Sequence, residues 1–204
     1  KETFNELVQK GLGGFLVRNM ESYGILDGMG LTSRIVLDAN IYTMNNRAEA
    51  FWMKKGILGD TVPLELNAKE LVHRNNKNSE LTVYGYTPMM VSVQCVQKTM
   101  DHCNHACAQY VLKDRYQKEF RGVCSCEFCY NTIYNALPTS LLKEKEKAEN
   151  LGVKAYRLSF TTETRQETEK IVRAFVAVYL KGQKPDGQMQ TGETTKGHFQ
   201  RGVE

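Results

Sequence analysis

All six cysteines of the 204-residue chain lie in one segment, residues 95–129. Cysteines that only fill a hydrophobic core would be spread along the chain, so this clustering indicates thiolates that meet at one point. Cys126 and Cys129 are separated by two residues, a spacing that lets one turn hold one metal centre. Cys95 and Cys103 lie upstream and can complete a four-sulfur shell.

Four thiolates suit either tetrahedral zinc or an iron–sulfur cluster, and their spacing does not choose between the two. Disulfides or inert buried thiols are the structural alternatives. We favour metal or cluster binding, because a Cys-x-x-Cys pair in a chain without an export signal more often binds metal than forms a disulfide. Cys107 and Cys124 are then the additional cysteines.

The composition predicts a folded domain, with 41% hydrophobic and 25% charged residues. A net charge of +4 permits an RNA partner without requiring one, because no basic block is present. The sequence shows no signal peptide and no apolar stretch long enough to cross a bilayer, which predicts a cytoplasmic protein without a membrane partner. The chain starts at Lys1 inside a helical pattern, so we expect a longer protein that continues upstream.

Apolar runs that end in polar residues alternate with helical patterns, which indicates a parallel α/β sheet. Predicted strands cover 14–19, 34–40, 60–66, 80–86, 88–93 and 154–160, and predicted helices cover 2–11, 22–30, 45–56, 68–74, 137–151 and 164–180. The repeat of roughly 20 to 30 residues is typical of a TIM-type (β/α) barrel.

About five strand–helix units are present where a complete barrel has eight. We therefore predict that residues 1–180 are the later part of a (β/α) barrel, with residues 95–129 as a cysteine-rich insertion. Residues 181–204 form a tail that folds back on the barrel. An open barrel exposes apolar strand edges, so we expect contact with the missing N-terminal part of the same chain, or a homodimer.

Polar residues at strand ends are candidates for a substrate site, because those ends form the active face of a barrel. Arg18 and Asp38 follow the first two strands, Glu65 ends the third, and Arg157 lies in the last. The arginines suit a phosphate or a carboxylate. Salt bridges and helix caps at the barrel mouth are the alternative explanation. His198, in the tail, is a further candidate.

Several sequence motifs together resemble peptidase family U-thirty-two, the collagenase-like proteases. They are residues 84–95 (YGYTPMMVSVQC), 112–115 (LKDR), 126–135 (CEFCYNTIYN), 156–161 (YRLSFT) and 197–203 (GHFQRGV). The resemblance runs from about Gly14 to the end of the chain, and it is to the C-terminal region of a long bacterial member. It implies a TIM-type barrel. It also supports His198 as a site residue, because His198 lies in the segment 197–203 that is similar in family members.

The resemblance also implies chemistry. Family members are implicated in oxygen-independent hydroxylation of RNA bases or ubiquinone precursors, and the ubiquinone members hold a [4Fe–4S] cluster on four cysteines. By resemblance, Cys95 and Cys103 match the early pair of ligands, and Cys126 and Cys129 match the later two. The later two are closer together than in the family, which makes Cys124 a rival ligand. A fragment purified in air can lose such a cluster and oxidise its thiols.

Two other functions remain open at this point. The family name implies a collagenase-like peptidase, for which His102 or His105 could pair with a nearby cysteine. A thiol cannot be both a free nucleophile and a cluster ligand, so the peptidase and the hydroxylation enzyme are competing hypotheses. The third is a non-catalytic module that binds zinc or a protein partner.

Overall fold

The computed structural model describes residues 2–101, 103–187, 189 and 192–203. The chain divides into two compact units. The first unit comprises Lys1–Val83, Glu144–Arg157 and Lys196–Glu204, and the second comprises Tyr84–Lys143 and Leu158–Thr195. None of the described helices has both the length and the apolar character needed to cross a membrane.

Over residues 2–85 and 145–175, strands and helices alternate as the sequence predicts. The strands are β1 (Phe15–Val17), β2 (Ile35–Leu37), β3 (Gly59–Thr61), β4 (Ser79–Gly85), β5 (Pro88–Ser92), β6 (Gln109–Lys113), β7 (Glu119–Ser125), β8 (Tyr130–Tyr134), β9 (Thr139–Ser140) and β10 (Ala155–Ser159). The α-helices are α1 (Glu2–Gln9), α2 (Met20–Asp27), α3 (Asn46–Lys54), α4 (Ala68–Leu71), α5 (Val96–Thr99), α6 (Lys145–Glu149) and α7 (Arg165–Phe175). A π-helical turn, Val176–Leu180, continues α7.

The larger sheet has the strand order β1-β2-β3-β4-β10, which is also the order along the chain. β1 to β4 pair in parallel, with Val17 opposite Leu37 and Leu37 opposite Asp60. A doubly wound sheet would reverse its strand order at a switch point, whereas a barrel wall keeps it. The protein is therefore mixed α/β, with a curled parallel sheet that forms half a barrel.

Polar caps start the helices that follow the sheet strands. Asn19 caps α2 and Asn45 caps α3, each through its side-chain oxygen and a backbone N–H group. Asn67 and Thr164 start α4 and α7 with reciprocal capping boxes, formed with Glu70 and Glu167. Each cap satisfies backbone donors that the first helical turn leaves unpaired. The chain can thus leave the end of a strand and turn directly into a helix.

A second sheet, which the sequence analysis missed, lies in the chain between β4 and β10. It is antiparallel with the order β5-β8-β7-β6. Its outer strands are largely exposed on both faces, so they lack the alternation of apolar and polar residues that identifies a half-buried strand. Residues 104–119, which lie in the predicted insertion 95–129, contain β6 and the hairpin turn that leads to β7.

The predicted helix over 137–151 is wrong in its first half. The helix α6 begins only at Lys145, after a short 3-10 turn at Leu142–Glu144. The reason is that Thr139 and Ser140 pair as β9 with the end of β4, which holds the backbone extended. The fully buried Leu141 follows directly.

The hydrophobic core of the first unit lies between the parallel sheet and its helices. Its central members are Val17, Tyr23, Leu26, Ile35, Leu37, Trp52 and Ile57. Tyr23 meets Trp52 edge to face, with ring centroids 4.8 Å apart. Trp52 is the only tryptophan of the chain, so its fluorescence reports on the folding of this core.

A buried ion pair with complete hydrogen bonding joins the strands of the first unit. The side chain of Arg74 is 2% exposed and that of its partner Asp60 is 5% exposed. Arg74 also donates to the Thr43 carbonyl at 2.8 Å, to Asn76 Oδ1 at 2.9 Å and to Ser79 Oγ at 2.9 Å. Ser79 donates in turn to Asp60 at 2.6 Å. Removal of one charge would leave the other buried without a partner.

Substitution Asp60→Asn is expected to lower the free energy of unfolding by about 3–5 kcal/mol, because Arg74 would keep a buried charge. Urea denaturation followed by Trp52 fluorescence measures this change. The matched control is Glu149→Gln, which removes the partly exposed pair of Lys145 and Glu149 and should cost less than about 1 kcal/mol. Equal effects of the two substitutions would show that the buried network does not stabilise the first unit.

Candidate functional site

Five of the six cysteines line one cavity of about 190 Å³ in the second unit. They include all four predicted ligands and the rival Cys124. The complete lining is Cys95, Lys98, Cys103, His105, Cys124, Ser125, Cys126, Cys129 and Tyr130. Cys107, which was predicted to be an additional cysteine, is exposed and is not among these lining residues. The structure therefore brings Cys95 and Cys103 together with Cys126 and Cys129.

The pairing of the antiparallel strands explains how distant cysteines meet. Cys95 follows β5 and precedes α5, and Cys103 lies in the loop before β6. Cys124 lies in β7, while Cys126 and Cys129 lie where the chain turns from β7 to β8. Because β8 pairs with both β5 and β7, the segment after β5 comes to lie beside the β7–β8 turn.

The sulfur atoms lie in different environments. Cys124 is 1% exposed, and its thiol donates to Asn131 Oδ1 at 2.9 Å. Burial raises the pKa of Cys124 to about 11, and the neighbouring Cys95 sulfur adds to this rise. The backbone N–H of Lys98 is the main cause that holds the pKa of Cys95 below its usual value. Burial raises the pKa of Cys126, whose thiol donates to the Ala106 carbonyl at 2.8 Å.

The convergence of the thiols and the size of the cavity limit which metal group the site can hold. Among the described residues, no three His, Cys, Asp or Glu side chains converge closely enough to hold a single metal ion. Tetrahedral zinc would require sulfur atoms about 3.8 Å apart, given Zn–S bonds of about 2.3 Å. One water occupies roughly 30 Å³, so a cavity of about 190 Å³ holds a body of several atoms. The cavity is therefore large enough for a group of several atoms, and both the iron–sulfur cluster and the zinc ion stay predictions.

A charged layer in the first unit brings together three of the other predicted residues. Arg157 Nη1 lies 2.9 Å from Asp38 Oδ1, and Arg18 Nε lies 3.1 Å from Asp38 Oδ2. Arg157 Nε also donates to Glu80 Oε2 at 2.8 Å. Asp38 is largely buried, whereas the Arg18 side chain is 60% exposed. This leaves Arg18 as the cation of the layer with the most access to solvent.

Glu80 is a member of this layer that the sequence analysis missed. Leu37 is opposite Asp60 and Asp60 is opposite Ser79, so the residues that follow, Asp38 and Glu80, lie at the same level of the sheet. The signal in the sequence is an acidic residue at the start of the predicted strand 80–86. Its meaning depends on strand register, which the sequence does not give.

Glu65 does not end the third strand, contrary to the prediction. β3 ends at Thr61, and Pro63 explains this because proline has no N–H group to continue the pairing. Glu65 lies in the following loop, where its Oε2 is buried and has no hydrogen-bond partner among the described residues. The hydrogen bonds and ion pairs of the charged layer do not include it.

His198 lies in a short turn of the tail, Gly197–Phe199, and its Nδ1 is 2.9 Å from the Gly202 carbonyl. The neighbouring Phe199 is buried, and Lys196 forms an ion pair with Glu144. These contacts attach residues 196–203 to the first unit, to which they belong. The contact that His198 makes is local to this turn, and it does not by itself form a catalytic arrangement.

The comparisons with known proteins add no assignment. No family model matches the chain, no curated protein matches it, and no solved structure matches it.

His102, one candidate for a nucleophile–base pair, lies outside the described residues. His105, the other candidate, lines the cavity beside the thiols.

Glu144 is expected to make the docking of the tail sensitive to acid. Burial would raise the pKa of this carboxyl group, but the charges and hydrogen bonds of Lys147 and Lys196 outweigh burial and hold the pKa below its usual value. A carboxyl group with a lowered pKa stabilises the fold above its unfolded pKa of about 4.3, and this stabilisation is lost as the pH falls through the folded pKa. The difference in unfolding free energy between wild type and Glu144→Gln should therefore be largest at neutral pH.

Urea titrations followed by Trp52 fluorescence at several pH values measure this difference. We expect it to shrink below about pH 4. A difference that stays constant down to about pH 3 would contradict the assigned role of the carboxylate.

Proposed function

We propose that this chain is part of a peptidase family U-thirty-two protein and belongs to an iron–sulfur enzyme of the RNA-hydroxylation type. The observation that carries the proposal is the single cavity lined by Cys95, Cys103, Cys124, Cys126 and Cys129. The resemblance of the sequence motifs and the barrel-like strand order support it. In this proposal the parallel sheet is the later part of a TIM-type barrel, and residues 95–129 form its cysteine-rich insertion.

Four thiolates, those of Cys95, Cys103, Cys126 and Cys129, would hold a [4Fe–4S] cluster. Such a cluster supplies one-electron transfer that protein side chains cannot provide. Cys124 is the least suited of the five as a ligand, because it is buried in the sheet and its thiol is already bonded to Asn131. The backbone N–H of Lys98 and its positive charge favour a thiolate at Cys95.

An exposed aromatic pair beside the cavity supports RNA as the substrate. Phe128 is 70% exposed and stacks on Tyr130, with ring centroids 6.5 Å apart and an interplanar angle of 26°. Tyr130 lines the cavity, and Phe128 lies between Cys126 and Cys129 in the chain. An exposed ring next to a redox site can stack an unpaired base and hold it there.

The charged layer of the first unit is the proposed site for an anionic group of the substrate. Arg157 is engaged by Asp38 and Glu80, so it orients these carboxylates and is not free to bind a ligand. Arg18 has an exposed guanidinium that can bind a phosphate group. The ion pair with the largely buried Asp38 would hold the Arg18 guanidinium in place.

A collagenase-like peptidase is the second candidate function. It depends on His105, which lines the same cavity as Cys103 and can act as a base toward a thiol. Gelatin cleavage that disappears in Cys103→Ala while the iron content stays unchanged would favour it. Cleavage and cluster ligation exclude one another at the same sulfur, so one preparation tests both.

Reconstitution of the chain with ferrous iron and sulfide without oxygen is expected to give about four iron and four sulfide per chain, with a brown colour. Cys103→Ser and Cys129→Ser should each lower the bound iron severalfold, because each removes a ligand. Cys107→Ser is the matched control and should bind iron like the wild type, as should Cys124→Ser. A colourless protein with one zinc per chain would instead support the non-catalytic zinc module.

Phe128→Ala is expected to weaken binding of a short single-stranded RNA by about tenfold, since stacking of one base contributes roughly 1–3 kcal/mol. Fluorescence anisotropy of a labelled oligonucleotide measures the affinity. Phe51→Ala, which removes an exposed phenylalanine of the first unit, is the control. RNA binding that is equally strong in both variants would remove the support that the aromatic pair gives to an RNA substrate.

A further inference from the structure

One exposed tyrosine of the first unit has a backbone conformation that disfavours its own side chain. Tyr42 ends the short 3-10 turn Ala39–Ile41, which follows β2, and it has φ of 55° and ψ of 52°. This left-handed region suits glycine and is unfavourable for residues with bulky side chains. Among the five described non-glycine residues with positive φ, Tyr42 is the one with an aromatic ring.

Hydrogen bonds on both sides of Tyr42 fix this strained backbone. The Tyr42 N–H group donates to the Ala39 carbonyl at 3.0 Å, and the Met44 N–H group donates to the Tyr42 carbonyl at 2.7 Å. The next residue, Thr43, is 2% exposed, and its carbonyl accepts from Arg74 Nε at 2.8 Å. The buried network around Arg74 therefore holds the conformation, and the Tyr42 ring is not needed for it.

The Tyr42 side chain itself contributes little to the fold. Tyr42 is 56% exposed. Within the part of the chain that the structure describes, its hydroxyl group makes no hydrogen bond and its ring stacks on no other ring. Glycine or asparagine would occupy this backbone with less strain. Strained residues that the surrounding structure holds in place are concentrated at ligand-binding sites, which makes Tyr42 a candidate for binding.

The turn that carries Tyr42 lies beside Arg18. Arg18 Nη2 is 3.4 Å from Oδ1 of Asn40, a residue of the same turn. A 3-10 helix rises about 2.0 Å per residue, so Asn40 and Tyr42 are roughly 4 Å apart along its axis. Arg18 follows β1 and the turn follows β2, and these strands pair in parallel. Loops at that end of a barrel sheet bind substrates.

We propose that Tyr42 stacks on an unpaired base of single-stranded RNA, next to a phosphate group of the same strand that Arg18 binds. This inference rests on the proposed function, which supplies RNA as the substrate and Arg18 as the phosphate site. Stacking on an exposed aromatic ring accepts any base, because every base has a flat face. The fixed backbone means that the ring loses little conformational freedom when the base binds.

The test compares variants that remove the ring with variants that keep it. Tyr42→Gly removes the ring and relieves the backbone strain, whereas Tyr42→Phe keeps the ring. Gln117→Gly is the matched control, because Gln117 is exposed and has φ of 62° in the turn between β6 and β7. Fluorescence anisotropy measures the affinity for a labelled single-stranded RNA hexamer and for an abasic hexamer. Urea denaturation followed by Trp52 fluorescence measures stability.

We expect Tyr42→Gly to bind the RNA hexamer about tenfold more weakly than the wild type. Its urea midpoint should not fall, since glycine adopts the left-handed conformation without a steric cost. Its affinity for the abasic hexamer should equal that of the wild type, because no base is present to stack. Tyr42→Phe and Gln117→Gly should bind both hexamers like the wild type.

The salt dependence separates stacking from phosphate binding. Arg18→Gln removes one phosphate contact and should reduce the slope of log K against log salt concentration by about 0.7. Tyr42→Gly should leave this slope unchanged, because the ring carries no charge.

Several results would overturn the inference. If Tyr42→Gly binds the RNA hexamer like the wild type, or loses the same affinity for the abasic hexamer, Tyr42 stacks on no base, while the proposed function stands. If the wild type binds neither hexamer, the RNA substrate of the proposed function is wrong, and the inference fails with it. If free uridine monophosphate binds as tightly as the hexamer, the ligand is a small nucleotide and not an RNA strand.

A second substitution covers the case in which Tyr42→Gly does not fold. Tyr42→Asn also lacks the ring, and asparagine tolerates the left-handed conformation. Weaker binding of the RNA hexamer with unchanged binding of the abasic hexamer then supports the role of Tyr42, and unchanged binding of both refutes it.

Discussion

The cysteine cavity depends on the side-chain amide of Asn131. This amide is 1% exposed, donates to the Gln94 carbonyl at 3.0 Å and accepts from Cys124 Sγ at 2.9 Å. It therefore joins β8 to β7 on one side and to the residue before Cys95 on the other. Without this link, the segment that carries Cys95 would lose a buried attachment to the sheet, because the strand β5 before it is largely exposed. A buried amide with both ends bonded is a specific constraint, because each broken bond would leave a polar atom unsatisfied.

The polar residues of the two units are brought together in different ways. In the first unit, parallel register places side chains from β2 and β4 at one level, where Arg157 bridges Asp38 and Glu80. In the second unit, antiparallel pairing and tight turns gather thiols from separate segments around a cavity. Cluster ligation requires only that sulfur atoms surround a space of sufficient size. Recognition of an anion requires a fixed guanidinium, which an ion pair such as that of Arg18 provides.

The elements that could be predicted from the sequence are those in which burial imposes a pattern of apolar residues. Apolar runs such as those of β2 and β4 are largely buried and were found. Of the antiparallel sheet, β5 was predicted as a strand over 88–93 but its pairing was not, and β6 was missed because a strand exposed along most of its length carries no periodic signal. Five of the clustered cysteines line one cavity, and their role as ligands stays a prediction. The roles of Glu80 and Asn131 could not be predicted, because each depends on which residues lie beside it on the neighbouring strands.

The central claim is that four thiols from three chain segments share one four-iron cluster. The most direct measurement is the Mössbauer spectrum of protein loaded with ⁵⁷Fe and sulfide without oxygen, before and after one-electron reduction. The account predicts the two delocalised mixed-valence iron pairs of a [4Fe–4S] cluster before reduction, and conversion of one pair to a diferrous pair after it. A spectrum of isolated iron ions, or of iron that does not respond to reduction, would contradict it.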